Sequence, residues 1–100
     1  MMDELQAALA DCNEAIQLEP DLAEAFDSRG LTYLKLGQWN LAISDYNSAL
    51  RLNPNLSSAL YGRGFAKLKK GQSASGKVDI AAAEAIRQSI ATEFARYGLQ

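Results

Sequence analysis

The chain has 100 residues, of which 48% are hydrophobic and 22% charged, and its net charge is −2, which suits one folded domain and excludes a disordered chain. The absence of histidine excludes His-based catalytic and zinc sites, and the single cysteine excludes an internal disulfide. No apolar run is long enough to span a membrane, and the N-terminal stretch MMDELQAALA has two acids and no basic n-region, so we expect a cytoplasmic protein with no membrane contact.

Six helices are predicted from the spacing of apolar residues and of helix-breaking residues. They cover residues 3–18, 22–36, 39–52, 56–70, 74–87 and 89–97. Pro20 and Pro54 are expected to end the first and third helices, and Gly37 ends the second in a left-handed cap. Asp21 is expected to cap the second helix, with Glu24 as its capping-box partner.

The sequence repeats itself with a period of about 34 residues, a length typical of stacked structural units. At this repeat period Pro20 aligns with Pro54, Gly30 with Gly64, Gly37 with Gly71, Gln38 with Gln72, Arg29 with Arg63 and Lys35 with Lys69. Two series persist through three copies, namely Ala15, Ala49 and Ala83, and Asp11, Asp45 and Asp79. Self-similarity of this kind favours a solenoid rather than a globule with one core.

The glycines inside the predicted helices require a packing reason, because each costs ~1 kcal/mol relative to alanine. We expect Gly30 to lie opposite Ala42, so that two small residues let antiparallel helices approach closely. Gly64 is expected to face Gly76 in the next unit. We predict that this second hairpin is the looser of the two.

The recurring residues resemble the tetratricopeptide repeat (TPR) pattern W-x2-L-G-x2-Y…A-x3-F…P. The residues that carry the resemblance are Phe26, Gly30, Tyr33, Ala42, Tyr46, Ala49 and Pro54. The second unit keeps Leu60, Gly64 and Ala83, but has Lys67 for the tyrosine, Gly76 for the alanine, Ile80 for the aromatic residue and Gln88 for the proline. The resemblance covers about residues 3–88.

This resemblance implies an all-α, right-handed TPR-type solenoid of antiparallel helix pairs within one domain, residues 1–100. Residues 3–20 would form the second helix of a truncated repeat, and residues 21–54 a full repeat. Residues 55–88 would form a second, degenerate repeat, and residues 89–98 a capping helix.

The resemblance also implies a protein-interaction module that is not an enzyme and needs no cofactor. In this family the first helix of each unit lines a concave groove that binds a partner. Carried over by position, the groove residues are Glu24, Asp27, Leu31, Leu34, Lys35, Ser58, Tyr61, Phe65, Leu68 and Lys69. Such a groove suits an apolar or aromatic peptide or helix with a basic flank near Glu24 and Asp27. The alternative is that its apolar members pack into the adjacent repeat.

The truncated first repeat leaves Leu5, Leu9 and Cys12 without a preceding helix. We predict that another copy of the chain, a partner, or residues outside this chain cover them, so a self-associating module or a fragment of a larger regulatory protein stays an alternative. Residues 1–28 carry eight acids and no base, whereas residues 29–100 carry ten bases and four acids. This asymmetry would favour head-to-tail stacking or an end-on partner, unless the helix surfaces merely differ.

Three other chemistries are not favoured. The segment GQSASGKV from Gly71 fills G-x-x-x-x-G-K, but Val78 replaces the Ser or Thr that holds magnesium, and no predicted strand precedes it. The basic cluster is predicted to be a solvated helix face rather than a nucleic-acid site, because the acidic N-terminal third would repel a nucleic acid. Its members are Arg63, Lys67, Lys69, Lys70 and Lys77. Cys12 is expected to be a buried apolar residue rather than a nucleophile.

Overall fold

The computed structural model of the chain describes residues 2–99, with side chains from residue 4 onward. Its helices are α1 (Met2–Leu18), α2 (Ala23–Lys35), α3 (Trp39–Leu52), α4 (Ser57–Lys69), α5 (Ser73–Ile86) and α6 (Ile90–Arg96). Each predicted helix is present, with both ends within one residue of the prediction. No strand occurs among residues 2–99, so the all-α fold class is confirmed.

The turns after α2 and α4 depend on glycine. Gly37 has a φ of 72° and Gly71 a φ of 84°, in the left-handed region that other residues rarely adopt. The amide of Gly37 donates to the carbonyl of Leu34 at 3.0 Å, which closes the end of α2 as predicted. The predicted cap at Asp21 is wrong, because Pro20 and Asp21 form the turn itself, and Leu22 is the N-cap of α2 without a side-chain hydrogen bond.

Consecutive helices pack on one another from α1 to α5, and α2 also contacts α4. The helices therefore form hairpins that stack along the chain, as a repeat at a fixed spacing requires. Buried side chains from α2 to α6 form one continuous apolar cluster. None of the helices within residues 2–99 has the length and the apolar character that crossing a bilayer requires.

The ring of Tyr46 on α3 is clamped between glycines of two neighbouring units. Its side chain is fully buried. A Cβ added to Gly30 on α2 would lie 2.9 Å from Cε1 of Tyr46, and a Cβ added to Gly62 on α4 would overlap the same ring. The atoms nearest to such a Cβ on Gly30 belong to Tyr46, a neighbour that the predicted pairing of Gly30 with Ala42 did not include. Glycine is needed there because the tyrosine ring fills the space that a side chain would take.

The hairpin of α4 and α5 closes on a pair of glycines. A Cβ on Gly64 would lie 2.7 Å from the carbonyl oxygen of Gly76, and a Cβ on Gly76 would lie 2.8 Å from the carbonyl oxygen of Gly64. The two backbones are thus in direct contact. The prediction that this hairpin is the looser one is wrong, because the absent side chains permit a closer approach instead of leaving space.

An arginine joins each full repeat to the helix before it. The guanidinium of Arg29 donates two hydrogen bonds of 2.7 Å to the carboxylate of Asp45 and one of 2.9 Å to the side-chain oxygen of Asn13. The side chain of Asp45 is only 7% exposed. Bidentate pairs of this kind are among the strongest hydrogen bonds in proteins. Arg29 therefore ties α2 to α3 within its repeat and to α1 outside it.

The next repeat copies this arrangement. Arg63 donates to Asp79 at 2.8 and 2.9 Å and to Asn47 at 2.9 Å. The recurrence of arginine and aspartate was visible in the sequence, but the pairing of one with the other was not inferred. Asp11, the first member of the aspartate series, is exposed. The arginine that would pair with it would precede Met1.

Candidate functional site: the concave face of α2 and α4

The structure places all ten predicted groove residues on α2 and α4, two neighbouring helices that a hydrogen bond joins. Ser58 on α4 donates to a carboxylate oxygen of Asp27 on α2 at 2.8 Å. The predicted residues differ in their accessibility. Glu24, Lys35 and Lys69 are exposed, Asp27, Leu31, Ser58, Tyr61 and Leu68 are half-buried, and Leu34 and Phe65 are buried. We call this set of ten the concave face.

Helix α6 lies against the concave face. The ring of Phe94 packs against that of Tyr61 at a tilt of 50°, with 4.7 Å between centroids. At the other end of α6, Nζ of Lys35 lies 4.8 Å from the centroid of the Tyr97 ring. Ile90, Phe94 and Leu99 belong to the same buried cluster as Leu34 and Phe65. The segment that follows the last repeat thus contacts α4 and also reaches the end of α2.

An apolar cleft of about 280 Å³ remains open beside α6. It is lined by Tyr61, Phe65, Leu68, Lys69 and Ile80. Nζ of Lys69 lies 5.3 Å from the centroid of the Phe65 ring, which places a cation at the rim. Ile80, on α5, was not predicted as a site residue. The repeat pattern could have indicated Ile80, because it stands one repeat period after Tyr46, in the last full unit.

The other end of the concave face is acidic. Burial raises the pKa of Asp27, and the nearby Glu24 adds to this effect, while the hydrogen bond from Ser58 opposes it. Burial also raises the pKa of Tyr46 well above its usual value, with smaller contributions from Asp27 and Tyr97. The hydroxyl of Tyr46 is buried and has no hydrogen-bond partner among the described residues. The half-buried carboxylate of Asp27 and the buried hydroxyl of Tyr46 therefore lie at the acidic end of the concave face.

Comparisons with known proteins agree with this architecture. Residues 30–71 match a family model described as TPR repeat. A solved structure titled "Crystal structure of MamA" superposes with a TM-score of 0.78 and 28% sequence identity. This chain has a tetratricopeptide repeat fold. The match covers 92% of this chain and 54% of MamA, so the chain spans about half the length of that protein. No curated protein matches the sequence.

The TPR fold gives the basic cluster a structural role. Nε of Arg63 and Nζ of Lys67 each lie 2.8 Å from Oδ2 of Asp79, and Lys67 also donates to Ser75 at 2.9 Å. Burial raises the pKa of Asp79, but the hydrogen bonds from Arg63 and Lys67 outweigh burial and lower its pKa overall. Two of the five bases are thus held by one carboxylate within the repeat.

The candidate phosphate loop is the start of a TPR helix. Gly71 forms the turn after α4, and the chain is helical from Ser73 onward. Gly76 is packed against Gly64, so its backbone cannot face a phosphate. A phosphate-binding loop needs consecutive backbone amides free to face the ligand, and these amides lie within a helix. This geometry does not fit a nucleotide site.

The N-terminal end of the TPR stack presents a partly covered face. Leu5, Leu9 and Cys12 are half-buried. An open cavity of about 260 Å³ lies between α1 and α2, lined by Asp11, Cys12, Ala15, Leu22, Glu24, Ala25 and Ser28. Burial raises the pKa of the Cys12 thiol, an effect that Arg29 opposes and that Asp11 and Asp45 reinforce. A raised pKa keeps the thiol protonated, which suits a packing residue better than a nucleophile.

Proposed function

We propose that this chain is a scaffold or adaptor module that binds a peptide or helix of a partner protein on its concave face. Tetratricopeptide repeats are generally protein–protein interaction modules. The observation that carries the proposal is the open apolar cleft formed by Tyr61, Leu68 and Ile80 on the concave face. An accessible apolar cleft with a charged rim is typical of a binding surface. The proposal includes no catalysis, no cofactor, no nucleic acid and no membrane.

The charges of the concave face support a partner with an apolar or aromatic segment and a basic flank. Glu24 is exposed, and Asp27 has Ser58 as its hydrogen-bonding partner, so a lysine or arginine of the ligand can pair there. At the opposite end, Lys69 already lies over the Phe65 ring. A cytoplasmic location belongs to this proposal, supported by the one free cysteine, Cys12.

Capture from a lysate of the source cells tests the proposal. The wild type is compared with Leu68→Glu, which places a charge in the cleft, and with Leu41→Glu on α3, whose side chain is 48% exposed. We expect a captured protein that Leu68→Glu loses and Leu41→Glu retains. With that protein as ligand, Leu68→Ala should weaken binding by about 1–3 kcal/mol. Equal capture by both charged variants would contradict the proposal.

Self-association through the N-terminal end is the second candidate. It is favoured by the half-buried Leu5, Leu9 and Cys12, and by exposed Asp11, whose counterparts Asp45 and Asp79 each bind an arginine. Sedimentation velocity across a concentration series tests it, with Leu9→Glu as the disrupting variant. A monomer at the highest concentration would exclude self-association.

A further inference from the structure

Helix α6 aligns with the first helix of a further repeat but is only seven residues long, whereas α2 and α4 have thirteen each. Phe94 stands one repeat period after Leu60, and Gly98 stands one repeat period after Gly64. In regular stacking this helix would cover the end of the last hairpin, as α4 covers α2 and α3. The short α6 contacts both α4 and α5, and its aromatic residues also contact Tyr61 and Lys35 on the concave face.

Part of the apolar surface of the last hairpin stays open. Tyr46, in the preceding unit, fills the gap between Gly30 and Gly62 of successive repeats. Ile80, its counterpart in the next unit, borders the apolar cleft instead. The cleft and the surface that α6 covers adjoin at Tyr61, so α6 covers only part of the concave face.

The attachment of α6 outside the concave face is slight. It has seven residues, and residues 87–89 join it to α5. The ion pair between Arg87 and Glu93, at 2.9 Å, is local and partly exposed, with side-chain exposures of 52% and 31%. Isolated helices of this length are unstable in water, so the contacts of Ile90, Phe94 and Leu99 hold α6 in place.

From this arrangement we propose that α6 is a displaceable occupant of the concave face, and that the partner which replaces it is a short amphipathic helix with the apolar spacing of Ile90, Phe94 and Tyr97. The inference rests on the proposed function and names its ligand class. The two helices compete because both need Tyr61 and the apolar surface beside it.

The test uses the full chain and a fluorescent synthetic peptide of residues 88–100, with binding measured by anisotropy. Phe94→Ala weakens the internal competitor, and Thr92→Ala, an exposed position of α6, is the matched control. We expect Phe94→Ala to bind the peptide at least tenfold more tightly than the wild type or Thr92→Ala. Adding Tyr61→Ala to Phe94→Ala should reverse the gain. Circular dichroism and Trp39 fluorescence verify that each variant is folded.

Hydrogen exchange of the wild type gives a readout that needs no variant. The amides of α6 should exchange at least 100-fold faster than those of α4, because α6 leaves the concave face without global unfolding. Equal protection of both helices would overturn the inference. Equal affinity of the wild type and of Phe94→Ala for the peptide would also overturn the inference. The proposed function would still stand in that case if Tyr61→Ala abolishes peptide binding. A folded Phe94→Ala chain that binds no peptide also overturns the inference, and lysate capture then decides the proposed function separately.

Discussion

The ammonium group of Lys67 lies 2.8 Å from Oδ2 of Asp79, in the repeat where lysine replaces a tyrosine. The tyrosine at the matching position of the preceding repeat is Tyr33, and there Asp45 pairs with Arg29. The second repeat thus exchanges aromatic packing for an additional cation beside its buried carboxylate. Lys67 thereby joins α4 to α5 in the repeat that lacks the tyrosine.

Asp79→Asn should reduce the free energy of unfolding at pH 7 by about 1–3 kcal/mol, because Arg63 and Lys67 lose their charged partner. The pKa of Asp79 is lowered in the folded state, so its contribution is present above the ordinary pKa of about 3.9 and is lost as pH falls through the folded pKa. The difference between variant and wild type should therefore shrink below about pH 4. Urea titrations followed by Trp39 fluorescence, carried out at pH 7 and below pH 4, measure the free energy of unfolding of the variant and of the wild type. Glu84→Gln, exposed on the same helix, is the control.

Asp27→Asn should have the opposite pH dependence. The pKa of Asp27 is raised, chiefly by burial, so the folded state favours the protonated form and stability falls as pH rises through that window. The neutral amide avoids this loss. We expect the variant to melt at a higher temperature than the wild type at pH 7, with the difference vanishing in acid. A variant that melts lower at pH 7 would contradict this prediction, and Glu14→Gln, at an exposed position of α1, controls for general charge effects.

Gly62→Ala should destabilise the chain although alanine is the better helix former. The new Cβ would overlap the buried Tyr46 ring, and overpacking of about 1–3 kcal/mol exceeds the gain in helix propensity of about 1 kcal/mol. The same substitution made in a Tyr46→Leu background should become neutral or stabilising, because the ring is gone. Chemical denaturation of all four chains tests this reversal. Destabilisation of equal size in both backgrounds would assign the effect to something other than the ring.

Tyr46→Phe should raise the free energy of unfolding by up to about 1 kcal/mol, because it removes a buried hydroxyl that has no hydrogen-bond partner among the described residues. The control is Tyr97→Phe, whose side chain is 46% exposed, so its hydroxyl can bind water, and we expect a change within about 0.5 kcal/mol. Thermal unfolding at pH 7 measures both. A loss of stability in Tyr46→Phe would mean that a buried water satisfies the hydroxyl.

The helices and their register could be predicted from the sequence because they depend on local signals. Gly37 and Pro54 act within one turn of the chain, and the repeat period identifies equivalent positions without tertiary information. The capping assignment at Asp21 failed because the turn that follows Pro20 ends one residue later, at Leu22. Local rules located that helix but not its cap.

The candidate site was predictable only in part. The resemblance located the concave face on α2 and α4, but Leu34 and Phe65 are buried in one cluster with Phe94 and Leu99 of α6. Where α6 lies depends on tertiary contacts such as that between Phe94 and Tyr61, which the spacing of apolar residues within residues 89–97 does not specify. The pairing of Arg29 with Asp45 could have been inferred, because the arginine and the aspartate both recur one repeat period later and keep a separation of 16 residues.

The arginine links have a consequence for how such an array can lengthen. In each link the arginine binds an asparagine 16 positions before it and an aspartate 16 positions after it. Duplication of one repeat-length segment therefore reproduces every partner without any compensating change. A unit added after α5 would lack this link. Ala81 stands at the position of Asn13 and Asn47, which supply the amide oxygen, and Tyr97 stands at the position of the arginine. Gene duplication could thus insert copies inside the array more readily than it could append them at this end.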